Sequence, residues 1–527
     1  MDKEKKHREI TDQFKELVQI FSKVPEKPSG PTIHLETTIT SAAAWYEKLR
    51  NVIDFQDEHL LAKNAIARIL RRHLLLGNPQ SKVVAERLVY ELIWAKYLEN
   101  DKVEISKIDE IGILIDRYRD FLAKVSSKAF RRDQIFGFVL NLLACEIEEE
   151  LFPHYREEAL VKFTKKIFLK LIGSEEPAQA YFPKHTRLEI AIRRSLLKAD
   201  DSQLTFRLFR AHTAQWGGTS GKFDAIIRDF DKVYQDIKFQ LSGSRDQKLA
   251  RYVKRHIPPF KILSDLLFEN PKVFLLSPEE VWKIENAIID MCKRNYRNLS
   301  ARILRGTIRA ILFVLFTKII LVFVLEVPFE MIMEGKVNSL AMMINTLLPP
   351  TIMLAAGFGI KVPGPTNTKK MTSQVSSIIF ENQLSARPFE LEPKQPKFFY
   401  IFDLIFTLIS LAILGGVVWL LLRIHFNILS IALFFFFVSI ISFLAFRIRS
   451  SVREVEVERT REGFILGFLQ FLFLPFIQMG YWFSNKLSKY NVILFVFDFI
   501  IESPFKVLIG IAESWVAFVK EKKEEIE

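Results

Sequence analysis

The chain has 527 residues, 49% of them hydrophobic, and a formal net charge of +13. Acidic and basic residues interleave through residues 36–300, and the positive excess lies beside long apolar runs, so we predict no nucleic-acid partner. The two cysteines, Cys145 and Cys292, are too few for a disulfide framework or a cysteine-based structural metal site. We predict no metal and no other cofactor.

The first half of the chain is predicted to be helical. Residues 1–35 combine an amphipathic helix from Ile10 with a proline-containing linker, and their charged start lacks the apolar segment of a secretory signal. Residues 36–300 carry apolar residues at helical spacing, with no alternation typical of strands. Ser277 and Pro278 are suited to the N-cap and first position of the last helix of this domain. We therefore predict an all-α cytoplasmic domain.

Four long apolar runs follow, in a predicted membrane domain at residues 301–450. A helix needs about 20 apolar residues to cross a bilayer core of about 30 Å. Four such runs in one stretch disfavour buried helices of a soluble protein. The predicted fold class is all-α: a cytoplasmic helical domain followed by a polytopic α-helical membrane domain. The runs lie at about 308–328, 337–360, 398–422 and 426–446.

Basic residues in the short loops predict the orientation of these runs. One set of flanks carries many basic residues, and the opposite loops carry only Lys336 and Arg423. Because lysine and arginine accumulate on the cytoplasmic side, both termini are expected to face the cytoplasm of a cell with a plasma or inner membrane. The same flanks are expected to attract anionic lipid. The basic flank residues are Arg302, Arg305, Arg309, Lys361, Lys369, Lys370, Arg387, Lys394, Lys397, Arg447, Arg449 and Arg453.

Lys318 lies near the middle of the first run. An ionised side chain at that depth costs at least ~2.5 kcal/mol on insertion scales. Asn345 in the second run and Asp403 in the third are its candidate partners, because helical side chains tilt toward the N-terminus and Asp403 lies in that direction. A structural ion pair is favoured, and a polar pathway through the bundle is the alternative.

Pro349 and Pro350 stand at mid-depth in the second run. Proline frees backbone carbonyls, and such a helix break at depth must be covered by protein or line a cavity. A bend that shapes the bundle is favoured over a transporter-like binding site, because no matching break occurs in a second repeat.

Two further constellations are weak. Glu150 and His154 are four residues apart and so could share a metal on a helix, but Pro153 interrupts the segment and favours a solvated helix end. The glycines after Trp216 lack the lysine and serine of a phosphate loop and indicate a hinge. With no catalytic motif, no enzymatic activity is predicted.

Residues 451–527 are predicted to form amphipathic, membrane-associated helices. A fifth apolar run begins at Phe464, and Asp498, Glu502 and Lys506 fall on one helix face further on. A narrow charged stripe favours helices that lie in the interface, and the alternative is a fifth and sixth crossing.

Several stretches resemble a family of multi-pass membrane proteins from small-genome bacteria. The stretches are Tyr46–Arg72, Thr317–Glu330, Asn345–Pro350, Phe497–Leu508 and Val519–Ile526. The resemblance spans both halves of the chain and implies that they belong to one architecture. It implies no activity for any residue.

The expected function is a scaffold, assembly or interaction protein that presents its helical domain at the membrane to protein partners. This expectation rests on the large helical domain and the absence of a catalytic motif. The alternative is a transporter or channel with a polar site around Lys318, Asn345 and the Pro349–Pro350 break.

Overall fold

The computed structural model describes residues 9–23, 28–35, 60–75, 79–126, 132–172, 184–213, 223–242, 247–275, 280–333, 335, 337–389, 399–457 and 464–489. Some sequence predictions lie outside these residues. They are the start of the helical segment after residue 36, the cap at Ser277 and Pro278, the glycines after Trp216, the loop lysines Lys336, Lys394 and Lys397, and the charged stripe of Asp498, Glu502 and Lys506.

Helices account for most of the described structure, which confirms the predicted all-α fold. The described residues form no strand; Thr32 and Glu104 share one isolated backbone bridge. The chain divides into two compact units. Unit 1 is Met1–Val18, Lys166–Ser174 and Lys254–Asn491, and unit 2 is Gln19–Lys165, Glu175–Val253 and Val492–Glu527. Residues 254–300 thus belong to the same unit as the apolar runs.

Helix α1 (Asp12–Ser22) begins in unit 1 and ends in unit 2. The helices that follow in chain order are α2 (Leu61–Leu75), α3 (Ser81–Trp94), α4 (Ser106–Ser126), α5 (Arg132–Leu151), α6 (Tyr155–Ile172), α7 (Lys184–Ile192), α8 (Asp201–His212), α9 (Phe223–Ser242) and α10 (Gln247–His256). A π-helical turn, Arg193–Leu197, extends α7. Parts of α6 and α10 belong to unit 1.

The core of unit 2 forms because its helices bury apolar residues spaced three and four apart. On α3 the buried row is Val84, Leu88 and Leu92, each with no exposed surface. Aromatic rings fill the space between helices. Phe121 meets Phe209 and Phe230 edge to face, at centroid distances of 6.1 and 5.6 Å. Such ring contacts add about 0.5–1.5 kcal/mol beyond the burial of their area.

Charged side chains join α6, α7 and α8 at one edge of unit 2. Arg193 contacts Glu158 at 2.7 Å and Glu189 at 2.9 Å. Glu158 also forms an ion pair with Arg207 at 2.7 Å, and Glu189 forms one with Lys165 at 2.7 Å. Each carboxylate therefore has two cationic partners. The paired cations hold the pKa of Glu158 and of Glu189 below the usual range, although burial opposes the shift.

Unit 1 contains the long helices. In chain order they are α11 (Pro258–Glu269), α12 (Val281–Leu321), α13 (Val327–Met333), α14 (Ser339–Gly359), α15 (Pro365–Glu381), α16 (Phe399–Arg423), α17 (Ile428–Val452) and α18 (Phe464–Lys489). A π-helical segment, Val322–Glu326, connects α12 directly to α13.

Four helical segments of unit 1 are long and apolar enough to cross a membrane. They are Val281–Met333, Ser339–Gly359, Tyr400–Arg423 and Ile428–Val452, and they contain or closely match the four predicted runs. In the third, only 6% of the apolar window is buried inside the protein. A helix that exposes so many apolar side chains is unfavourable in water, so this pattern supports membrane association.

The proline pair does not interrupt its helix. Helix α14 runs from Ser339 to Gly359 through Pro349 and Pro350, both of which are buried. The predicted helix break is therefore corrected. Proline removes a backbone donor without ending the helix where neighbouring helices cover the freed carbonyls. Helix α14 packs against α12 and α17.

Glycines allow close approach between these helices. A Cβ on Gly357 of α14 would lie 2.5 Å from Cγ2 of Thr307 on α12. A Cβ on Gly480 of α18 would collide with the backbone carbonyl of Ser439 on α17. Small residues at helix crossings permit dense packing in apolar surroundings. Helix α18 thus packs closely on α17, with ring contacts such as Phe435 with Phe476. Its interfacial placement stays a prediction.

Candidate functional site

A row of buried residues four apart runs along α12 and α13. In a regular α-helix, residues four apart drift by about 40° around the axis, so Glu326 would lie about 80° away from Lys318. The π-helical segment Val322–Glu326 accommodates one extra residue and offsets this rotation. The row therefore stays on one buried side. Its members are Ala310, Val314, Lys318, Val322, Glu326 and Glu330.

Lys318 pairs with Glu326. Its Nζ lies 2.5 Å from Glu326 Oε1, and both side chains have no exposed surface. Asn345 on α14 donates from Nδ2 to the same oxygen at 2.7 Å, and to the carbonyl of Ser430 on α17 at 3.3 Å. The ammonium also lies 5.3 Å from the ring centroid of Phe437. The pair thus links three helices.

Glu330 joins the first turns of α14 and α17. Its Oε2 accepts from the backbone N–H of Asn338 at 2.9 Å, and its Oε1 accepts from Nδ2 of Asn427 at 3.0 Å. These asparagines are the N-caps of α14 and α17, and their side chains accept from Ala341 N and Ser430 N. Since helix N-termini carry partial positive charge, both helices stabilise the anion. Glu330 itself is 2% exposed.

We call Lys318, Glu326, Glu330, Asn338, Asn345 and Asn427 the polar layer. Its cation faces one carboxylate, and its second carboxylate faces two helix N-termini. Two oxygens, Glu326 Oε2 and Asn345 Oδ1, are buried without a hydrogen-bond partner among the described residues. A buried unsatisfied acceptor typically costs about 1–3 kcal/mol.

Of the predicted site residues, Lys318 and Asn345 come together and Asp403 does not. Asp403 is exposed near the start of α16, and its backbone carbonyl accepts from Thr407 Oγ1 at 2.9 Å. Helix α16 packs against α18. Glu326, and not Asp403, is the carboxylate that bonds to the Lys318 ammonium, and it lies eight residues further along the same helical segment. Pro349 and Pro350 are buried on the same helix as Asn345.

Sequence reasoning missed both glutamates. Glu326 and Glu330 lie at the end of the first apolar run, where a carboxylate is readily taken for the boundary of the run. The available signal was that Glu326 and Glu330 lie eight and twelve residues after Lys318, which are multiples of the four-residue spacing of the buried row. Regular α-helical geometry hides that signal, and only the π-helical segment restores it.

The acidic stretch before His154 forms ion pairs. Glu150 pairs with Lys107, which lowers the pKa of the carboxyl. His154 lies 3.8 Å from Glu157 and 4.0 Å from Glu148. The described residues contain no group of three histidine, cysteine, aspartate or glutamate side chains arranged for a metal ion. Cys145 and Cys292 are both buried, and burial raises the pKa of the Cys145 thiol.

Comparison with known proteins finds no matching family model, curated protein or solved structure. The geometry described above therefore carries the functional argument alone.

Proposed function

We propose that this chain is a multi-pass protein of the cell membrane, with both termini cytoplasmic, that serves as a scaffold or assembly protein for cytoplasmic protein partners. The four candidate spans support the membrane placement. Aromatic residues at the ends of α16 add to this support. Tyr400 and Trp419 are 84% and 60% exposed. They are about 28 Å apart along the axis, close to the thickness of a bilayer core.

Charge asymmetry supports the proposed orientation. At one end of the bundle, Arg305 and Arg309 on α12 and Arg447 on α17 are exposed. At the other end, the polar layer joins α13, α14 and α17 through Glu330, and Arg423 stacks over Trp419 at 5.0 Å. The end rich in exposed arginine is the one expected to face the cytoplasm.

The closure of the polar layer is the observation that carries the scaffold proposal. Lys318, Glu326 and Asn345 each have no exposed surface, and their contacts tie α12, α14 and α17 together. A polar site that conducts a solute needs access to water, whereas a sealed pair fixes helix register. The intramembrane charges thus serve the architecture. The separate hydrophobic core of unit 2 then supplies a stable helical body for partner binding.

A transporter or channel is the second candidate, and one observation favours it. Glu326 Oε2 and Asn345 Oδ1 are buried and without a partner among the described residues. Such acceptors can hold a proton, water or a small cation in a second conformation. In this candidate, Lys318 would release Glu326 during each cycle.

One experiment separates the two candidates. Full-length protein would be purified in mild detergent after crosslinking in its own membranes, and in parallel reconstituted into liposomes. The double variant Lys318→Met, Glu326→Leu leaves no uncompensated buried charge, so it is expected to keep the co-purified partners of a scaffold, whereas it would abolish ion or solute flux of a transporter. Ile113 and Phe239 of unit 2 are 61% and 58% exposed. Changing both to Asp is expected to reduce partner recovery without changing flux.

The control and the contradicting results are defined in advance. Asp403→Asn changes an exposed carboxylate and should alter neither readout. A monomer without partners from crosslinked membranes would overturn the scaffold proposal. Flux that disappears in the double variant Lys318→Met, Glu326→Leu and persists in Asp403→Asn would establish the transporter instead.

A further inference from the structure

The cytoplasmic half of α12 has an unbalanced charge pattern. Between Asp290 and Glu326 the sequence contains no acidic residue, yet it contains Arg302, Arg305 and Arg309. Helix α17 likewise has no acidic residue and ends with basic residues. Arginine guanidiniums without acidic neighbours on the same helix attract anions from outside the chain.

Two adjacent sides of α12 contact α17 and α14. Gly306 faces α17, since a Cβ there would lie 3.8 Å from Cδ1 of Ile448. Thr307 faces Gly357 of α14. At about 100° per residue, Thr307 lies about 100° to one side of Gly306.

The arginines of α12 lie on the other side of that contact. In the same projection Arg302, Arg309 and Arg305 lie about 40°, 60° and 100° from Gly306, away from Thr307. All three are exposed. They therefore flank the α12–α17 contact on the side that α14 does not cover.

Helix α17 adds a fourth guanidinium to this flank. Ile448 faces α12, and Val438 lies about 80° to one side of it, where it packs in a cluster with Ala341 of α14. Arg447 lies about 100° to the opposite side, and it is exposed. The flank of the α12–α17 contact that α14 does not cover thus carries four arginines within about one helical turn of the Gly306–Ile448 contact. We call it the arginine groove: Arg302, Arg305, Arg309 and Arg447.

Exposed apolar residues continue the groove along α12. Phe313, Phe316 and Ile320 lie about 20°, 80° and 40° from Gly306 on the same flank. They are 65%, 67% and 44% exposed. A ligand that fits both parts has an anionic head at the arginines and an apolar chain along the aromatic residues. Arginine binds phosphate through two parallel N–H donors, which suits a phosphodiester headgroup.

We infer that the arginine groove binds the phosphate headgroup of an anionic membrane lipid, with an acyl chain lying along Phe313 and Phe316. The inference rests on the membrane placement proposed above. Membrane placement alone implies only a general attraction of anionic lipid to basic flanks. The arginine groove is instead one specific site between α12 and α17. The bound lipid would hold α12 against α17 by bridging arginines of both helices.

Native mass spectrometry of the full-length protein in detergent tests the inference. Phosphatidylglycerol and phosphatidylcholine with the same acyl chains would be offered in equal amounts. The wild type is expected to prefer phosphatidylglycerol by about tenfold or more, since each arginine near an anionic surface contributes favourably. The variant Arg305→Gln, Arg309→Gln, Arg447→Gln should lose this preference. The same three positions changed to Lys should retain part of it, because lysine keeps the charge but not the paired donors.

A matched control removes the same charge elsewhere. Arg71, Arg87 and Arg255 are exposed outside the apolar segments, and changing all three to Gln should leave the lipid preference unchanged. An equal loss in this control, or an unchanged preference in the groove variant, would overturn the inference. Inorganic phosphate at millimolar concentration forms a further arm. If inorganic phosphate displaces phosphatidylglycerol and raises the melting temperature of the protein as much as phosphatidylglycerol does, the ligand is a soluble phosphate and the lipid assignment fails.

Alkaline extraction of membranes separates this inference from the proposed function. If extraction releases the wild-type protein, the membrane placement itself is wrong. If the protein stays in the membrane and the groove variant binds lipid normally, only the arginine groove is wrong.

Discussion

The polar layer of unit 1 and the ion pairs that join α6, α7 and α8 in unit 2 both stabilise buried charged side chains. They differ in exposure and in the number of partners that each charge has. Lys318 and Glu326 have no exposed surface, and the Lys318 ammonium contacts Glu326 and the Phe437 ring. The side chains of Arg193 and Glu158 are 8% and 24% exposed. Arg193 also contacts a second carboxylate, and Glu158 a second cation. Lys318 thus relies on a single carboxylate in apolar surroundings, whereas Arg193 and Glu158 at the partly hydrated edge each have two charged partners.

The largest effect is expected from breaking the sealed pair on one side only. Glu326→Leu leaves Lys318 buried without an anion, which should destabilise unit 1 by about 3–5 kcal/mol. Thermal unfolding of the purified protein in detergent measures the loss. The double variant Lys318→Met, Glu326→Leu should recover most of it, because no uncompensated charge remains. A double variant as unstable as the single one would contradict this account of the polar layer.

A smaller effect is expected at the branched edge of unit 2. Arg193→Met removes one cation, but Glu158 keeps Arg207 and Glu189 keeps Lys165. The expected cost is about 1–2 kcal/mol, below that of Glu326→Leu, and it is measured by denaturant unfolding. Arg194→Met is a control, since its partner Asp201 is 79% exposed. If Arg193→Met cost as much as Glu326→Leu, the second partners would contribute nothing.

His154 gives unit 2 a pH dependence. The Glu157 carboxylate, with help from Glu148, raises the pKa of His154 above its usual 6.5. Because the folded state favours the protonated ring, this stabilisation is complete below pH 6.5 and is lost as pH rises through the higher folded value. The side chain is 34% exposed, so we expect less than about 1 kcal/mol.

Unfolding of the wild type and of His154→Gln between pH 6 and 8 tests this dependence. The variant is expected to show a flatter profile over that interval. Burial raises the pKa of Glu148, so its ionised form opposes folding and protonation at lower pH relieves that cost. In the variant this change should occur at higher pH, because His154 lowers the pKa of Glu148 in the wild type. Identical profiles for the two proteins across the whole range would remove His154 from the account.

The smallest effect is expected at an exposed pair. Lys82 lies 2.7 Å from Asp109, and the two side chains are 70% and 59% exposed. Asp109 raises the pKa of Lys82 through a hydrogen bond, yet water and salt screen such a pair. Lys82→Ala should leave the melting temperature unchanged at 0.15 M salt (the Debye length there is about 8 Å). A clear loss of stability would show that exposed pairs matter more than this comparison allows.

Local sequence determined the helical class and the four candidate spans. Both depend on the length and hydropathy of contiguous segments, and a run such as 398–422 carries that information without reference to its neighbours. The need of Lys318 for a partner was also a local inference, because a charge in an apolar run is costly wherever the helix packs. Asn345 and Lys318 bond to the same oxygen of Glu326.

Tertiary structure alone decided which partner Lys318 has and how the proline pair behaves. A side chain eight residues away, Glu326, reaches the ammonium only because a π-helical turn offsets its rotation, and no local propensity predicts that turn. Asp403 stays outside because α16 packs on α18. Helix α14 continues through Pro349 and Pro350, both of which are buried, and it packs against α12 and α17. The sequence shows that a charge lies in an apolar run and is therefore costly to bury. The geometry that offsets this cost depends on helix contacts between residues far apart in the chain.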